Sequence, residues 1–73
     1  MTDLFFRVRQ RDIAYIKFIL EAYEGMNVMS TADNGKGIIK VSVMPGFEHD
    51  MDGLLEDMGK EIVMEKIPDA ESN

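Results

Sequence analysis

The chain has 73 residues, a net charge of -6, no cysteine and 45% hydrophobic residues. This length allows one small domain, and the missing cysteine excludes disulfides and thiolate metal sites. An acidic surface repels phosphate backbones, which argues against a nucleic-acid partner. No apolar run approaches the roughly 20 residues that span a bilayer, and no basic and apolar leader precedes the first strand. We therefore expect a cytoplasmic protein that does not bind membranes.

The first part of the chain predicts a strand followed by a helix. Residues 4–9 alternate between two faces, as a half-buried strand does. Residues 12–24 repeat apolar side chains at helical spacing, with Asp12 as the expected N-cap or first-turn acid and Gly25 as the expected end. The inward face of the strand carries Leu4, Phe6 and Val8.

Two further strands are predicted in the middle of the chain. Residues 26–32 and 38–44 alternate again, and the Asn34-Gly35 pair between them favours the positive φ values of a tight hairpin. These two strands should therefore be antiparallel neighbours. In the first of them we expect Met29 and Thr31 to point away from the helices. In the second, the residues expected to point inward are Ile39, Val41 and Val43.

A second helix and a last strand complete the predicted domain of residues 1–68. Residues 62–67 form the strand, and its inward parity stays open because three consecutive residues at its start are apolar. Residues 69–73 are a polar tail outside the domain. The helix follows the Pro45-Gly46 break, and its apolar stripe consists of Phe47, Met51, Leu54, Leu55 and Met58.

The order strand, helix, strand, strand, helix, strand is that of the ferredoxin-like split β-α-β plait, an α+β fold. We expect a four-stranded antiparallel sheet in the order 4-1-3-2, with both helices on one face. This fold serves enzymes, metal carriers, RNA binders and regulatory modules, so the fold alone does not decide the function.

The segment IAYIKFILEAYEG at residues 13–25, followed by a strand that ends in Ser30-Thr31, resembles small uncharacterised bacterial proteins grouped as domain-of-unknown-function family 4911. The resemblance covers nearly the whole chain. More distantly, the element order and size are similar to ACT domains, which are regulatory plaits that bind amino acids at dimer interfaces. Those domains place a glycine-containing turn after the first strand. Here the turn reads Arg9-Gln10-Arg11-Asp12, which argues against amino-acid binding.

A basic cluster is the candidate ligand site. Arg7, Arg9 and Arg11 fall within five residues, next to Asp12 at the start of the first helix. Arginine forks and the free N–H groups of a helix start bind carboxylate or phosphate, so Arg9, Arg11 and Asp12 could receive a small anion. The alternative, which we favour, is that the arginines pair with acids, either Glu65 across the sheet or acids of a partner subunit.

No combination of residues predicts a metal, a cofactor or a catalytic centre. His49 is the only histidine, and the three acids around it splay about a helix start, where the helix dipole favours them. The spacing of Met26 and Met29 could suggest copper, but core or interface filling is favoured. The serines and threonines have no arranged base and orienting acid, so we expect no enzymatic activity.

Surplus apolar residues predict an interface. Tyr15 and Phe18 form a second stripe on the first helix, which either packs against the second helix or binds a partner. We therefore expect a non-enzymatic interaction or regulatory module that forms homodimers. The alternatives are a different protein partner and a sensor of small anions of the ACT type. On the open face of the sheet, the expected interface residues are Phe5, Met29, Ile38 and Met44.

Overall fold

The protein is described by a computed structural model covering residues 1–68. A three-residue 3-10 turn, Gln10–Asp12, leads into the first helix. The predicted order of elements is confirmed, and the predicted tail at residues 69–73 lies outside the described residues. The elements are β1 (Thr2–Val8), α1 (Ile13–Glu21), β2 (Asn27–Asp33), β3 (Ile38–Val43), α2 (Glu48–Gly59) and β4 (Met64–Ile67).

The four strands form one antiparallel sheet in the order β2-β3-β1-β4. This is the predicted order counted from the opposite edge, and with two helices it makes an α+β fold of the ferredoxin-like type. β1 and β2 are both antiparallel to β3, so they run parallel to each other and α1 forms the crossover between them. Among the described residues, neither helix is long and apolar enough to cross a membrane.

The main core lies between both helices and one face of the sheet. Ile16 and Leu20 of α1 and Met51 of α2 are completely or almost completely buried. Leu4 is partly buried at the margin of this core. The inward residues predicted for β1 and β3 are therefore confirmed. The buried sheet residues of this core are Phe6, Val8, Ile39, Val41 and Val43.

Phe5 and Ile38 lie on the opposite face of the sheet, as predicted, but they are not exposed there. Phe5 is 7% exposed and Ile38 is 1% exposed, and both belong to a second small cluster with Ile67 of β4. The register explains this burial, because Phe5 stands directly between Ile67 and Lys40 on its two neighbouring strands. The expected exposed apolar patch is therefore absent at these two positions.

The predicted facing of β2 is wrong by one residue. Met29 is paired with Val41 and Thr31 with Ile39, so both point toward the helix side of the sheet. Met29 is partly buried against the main core rather than exposed on the open face. A shift of one residue exchanges the two faces of a strand, so Val28 takes the open-face position instead.

Asn27 is the physical reason for this error. It occupies the inward position at the start of β2 and is buried. Its side-chain amide donates to the carbonyl oxygen of Leu20 at 3.2 Å and to that of Tyr23 at 3.4 Å. Both carbonyl groups also accept a backbone N–H, Leu20 from Tyr23 and Tyr23 from Met26, so the amide of Asn27 adds a second donor to each at the end of α1. Because Asn27 is polar although it points inward, the sequence of β2 does not show which of its two faces is buried.

The open question about β4 is resolved by its pairing. Met64 stands opposite Val8 and is partly buried against the main core. Ile62 precedes the strand and is buried in the same core, whereas Val63 between them is exposed. Ile67 takes the other face. The strand is also shorter than predicted, since residues 62 and 63 do not join the sheet.

Gly37 fixes the hairpin between β2 and β3 against the end of β1. Its carbonyl oxygen accepts the N–H of Val8 at 2.7 Å, and its backbone has a φ of 70°. A Cβ atom there would clash with the carbonyl oxygen of Val8, so only glycine fits. The hairpin and the arginine-rich turn after β1 are thereby held together at one end of the sheet.

Candidate interaction site

The outer side of α1 exposes large apolar side chains. Tyr15 is 53% exposed and Phe18 is 74% exposed. The two residues are close to one helical turn apart, so they form one surface beside the buried stripe of the helix. Packing against α2 was the other expectation for these residues, and the structure does not bury them there. The buried stripe consists of Ile13, Ile16 and Leu20.

β2 forms one edge of the sheet, and no strand of the described part of the chain lies beyond it. The N–H of Met44 donates to the carbonyl oxygen of Met26 at 2.9 Å. Because hydrogen-bonded pairs alternate in an antiparallel ladder, the backbone groups of Val28 also point toward β3. Those of Met29 and Thr31 point away from the sheet, so they can bind another strand.

A groove of about 300 Å³ separates α1 from β2. Leu20 and Met29 give it apolar walls, while Lys17 and Glu21 bring opposite charges from one side of α1. Val28 lines the groove at the strand edge, while its side chain lies on the open face of the sheet and is 56% exposed. The groove therefore combines an apolar wall, a pair of charges and a strand edge. Its lining residues are Lys17, Leu20, Glu21, Glu24, Asn27, Val28 and Met29.

The three arginines of the predicted cluster have different surroundings in the structure. Arg7 donates to the carboxylate of Glu65 at 3.0 Å, which is the cross-strand pairing expected from the sequence. Arg9 and Arg11 are exposed, and the side chain of neither forms a hydrogen bond or ion pair with any described residue. Asp12 holds the N-cap position of α1, but its side chain makes no capping hydrogen bond, so it is an acid at the helix start rather than a capping group.

The other residues singled out from the sequence lie at ordinary structural positions and form no site within the described part of the chain. Met44 is half-buried directly after β3. Glu48, at the start of α2, accepts the N–H of Gly46 at 3.0 Å. Phe47 was expected on the apolar stripe of α2, but it precedes the helix and is exposed. Within residues 1–68, no three histidine or acidic side chains converge where they could hold a metal ion.

Sequence reasoning did not identify the groove as a site. It expected Met29 to point away from the helices, which would place Met29 outside the groove. The opposite charges one helical turn apart on α1 are visible in the sequence. Their position beside the sheet edge depends on the facing of β2, and that was concealed by the buried Asn27.

Residues 6–62 match a protein family described as Domain of unknown function (DUF4911). The matched range contains α1, β2, β3 and α2, and therefore the whole groove. Neither the curated proteins nor the solved structures contain a match.

Proposed function

This chain belongs to the family described as Domain of unknown function (DUF4911), and on that premise we propose that it is a non-enzymatic interaction or regulatory module that self-associates. The proposal includes a homodimer as the basic state and the cytoplasm as its location, which suits a chain without cysteine. Its main support is the exposure of Phe18, which is 74%.

Phe18 does not stand alone on the surface. Tyr15 lies beside it on α1, and the groove and the free edge of β2 lie along the same helix. Large contiguous apolar surfaces on a small domain mark interaction sites, because leaving them in water is unfavourable. A small domain also gains stability from a partner that binds only its folded state.

The open face of the sheet is a weaker candidate for this interface. Phe5 and Ile38 already bury each other together with Ile67, so a partner would gain little further apolar area from them. Charged groups also stand around the cluster, since Arg7 pairs with Glu65 and Lys40 lies 3.9 Å from Asp3. We therefore assign the interface to the side of α1 and β2.

Sedimentation velocity from micromolar to millimolar concentration tests this proposal with Phe18→Glu. A carboxylate in a desolvated contact is costly, so we expect this variant to associate about tenfold more weakly or worse. The matched control is Val63→Glu, which replaces another exposed apolar residue away from α1 and should leave association unchanged. A wild-type chain that remains monomeric at millimolar concentration would contradict self-association.

A sensor of small anions is the second candidate function, similar in type to an ACT domain. It is supported by Arg9 and Arg11, which are exposed and unpaired with any described residue at the start of the first helix. Arginine in such a position can bind carboxylate or phosphate. Calorimetric titration with common amino acids and phosphorylated metabolites distinguishes the two functions. Binding heat in the wild type that disappears in Arg11→Ala supports the sensor function. The absence of binding heat at millimolar ligand contradicts it.

A further inference from the structure

The two edges of the sheet are protected to different degrees. β4 has four residues, and two of them, Glu65 and Lys66, are charged. β2 has seven residues, and its first five, Asn27 to Thr31, include no charged residue and no proline. Proteins commonly protect an edge with charges, proline, bulges or short strands, because an open edge pairs with other chains. On β2 such features occur only at the end of the strand, where the register shifts between Thr31 and Asp33 and where Asp33 is charged.

The free edge of β2 suits a second strand running in the opposite direction. The backbone groups of Met29 and Thr31 point outward, as the alternation of the ladder requires. Two copies of β2 related by a two-fold axis can therefore exchange N–H and C=O groups as one antiparallel pair. Such an arrangement is closed, so it yields a dimer and not a growing fibre.

The charges on α1 fit the same two-fold arrangement. Lys17 and Glu21 stand on the side of the helix that lines the groove next to β2. When two copies of β2 pair antiparallel, the two α1 helices beside them are also antiparallel. Lys17 of one protomer then lies on the same side as Glu21 of its partner, and the reverse contact repeats the pairing. A two-fold interface requires this kind of self-complementary surface.

We infer that two copies of this chain associate through their β2 edges, antiparallel, so that two four-stranded sheets become one and the two α1 helices lie side by side. This inference rests on the proposed self-association and names its partner and its geometry. Val28 on the open face and Met29 on the helix side flank the joined edges and become less exposed in the dimer.

Charge exchange between α1 helices tests the geometry. Lys17→Glu and Glu21→Lys each place like charges across the two-fold axis, so we expect each variant alone to dimerise about tenfold more weakly than wild type. Mixing the two variants restores opposite charges at both contacts, and the mixture should form a heterodimer near wild-type strength. Both positions are exposed, so circular dichroism should show an unchanged fold.

A backbone substitution provides the second test. Thr31→Pro removes an outward N–H from the edge, whereas Thr31→Val keeps this N–H and serves as the control. We expect only the proline variant to lose dimerisation at concentrations where wild type is dimeric. If wild type dimerises but the charge variants do not complement each other, this geometry is wrong and self-association stands. If wild type is monomeric, the geometry and the proposed self-association are both wrong, and a different protein is the remaining partner for the edge.

Discussion

The two helices contribute similarly to the core and differ in everything that faces outward. α1 buries Ile13, Ile16 and Leu20, and α2 buries Met51, Leu55 and Met58. The remaining surface of α2 is mostly acidic, as expected for a helix that covers a sheet on one side only. The remaining surface of α1 includes Tyr15 and Phe18. Packing of the domain therefore explains the composition of α2 completely and that of α1 only in part.

The same difference extends to the sheet edges. β4 is short and charged, while β2 is longer and uncharged over its first five residues. The unprotected edge thus lies on the same side of the molecule as the helix with surplus apolar residues. The side of α2 and β4 has the charged residues of a solvent-facing surface. The side of α1 and β2 has the apolar residues and the open strand edge of a surface that is covered by a partner.

The largest expected effect tests the similarity of the two helices. Ile16 and Met51 are both 0% exposed, one on each helix. Replacing either by alanine leaves a cavity in the same core, so we expect each variant to lose about 2–5 kcal/mol of unfolding free energy. Urea denaturation at a concentration where the chain is monomeric measures this loss. A loss below about 1 kcal/mol at either position would show that the helix in question contributes little to the core.

A smaller effect is expected where the two helices end differently. The side chain of Asn27 donates to the carbonyl oxygens of Leu20 and Tyr23 at the end of α1. Both helix ends also have backbone bonds, from the N–H of Tyr23 to Leu20 in α1 and from the N–H of Lys60 to Asp57 in α2, so the side chain of Asn27 is an additional donor at the end of α1. Asn27→Ala should lower the unfolding free energy by about 0.5–1.5 kcal/mol, because side-chain hydrogen bonds are lost while both carbonyl groups keep their backbone donors. Ser30→Ala on the exposed part of β2 is the control, and equal losses in both variants would contradict this capping role.

The element order could be predicted because each strand and helix shows its own period of apolar residues. The inward residues of β1 and β3 followed from the same alternation. The burial of Phe5 could not be predicted, because it depends on Ile67, a neighbour that only the register of β4 supplies. The facing of β2 was concealed by Asn27, whose polar side chain is buried because it bonds to the end of α1.

The candidate sites, like the fold, could be predicted from the sequence only in part. The pairing of Arg7 with Glu65 was among the predictions, since opposite charges on neighbouring strands can meet when the strands are in register. The exposure of Tyr15 and Phe18 was left undecided, because the sequence does not give the rotation of α1 relative to α2. The groove was not predicted, because it requires both that rotation and the correct facing of β2.

Amide hydrogen exchange at two protein concentrations tests the central claim, that the side of α1 and β2 is covered by a second copy. The N–H groups of Val28 and Ser30 point toward β3 and should be protected at both concentrations. Those of Met29 and Thr31 point outward and should exchange about tenfold more slowly once the chain dimerises. A dimer in which Met29 and Thr31 exchange as fast as in the monomer would contradict the account.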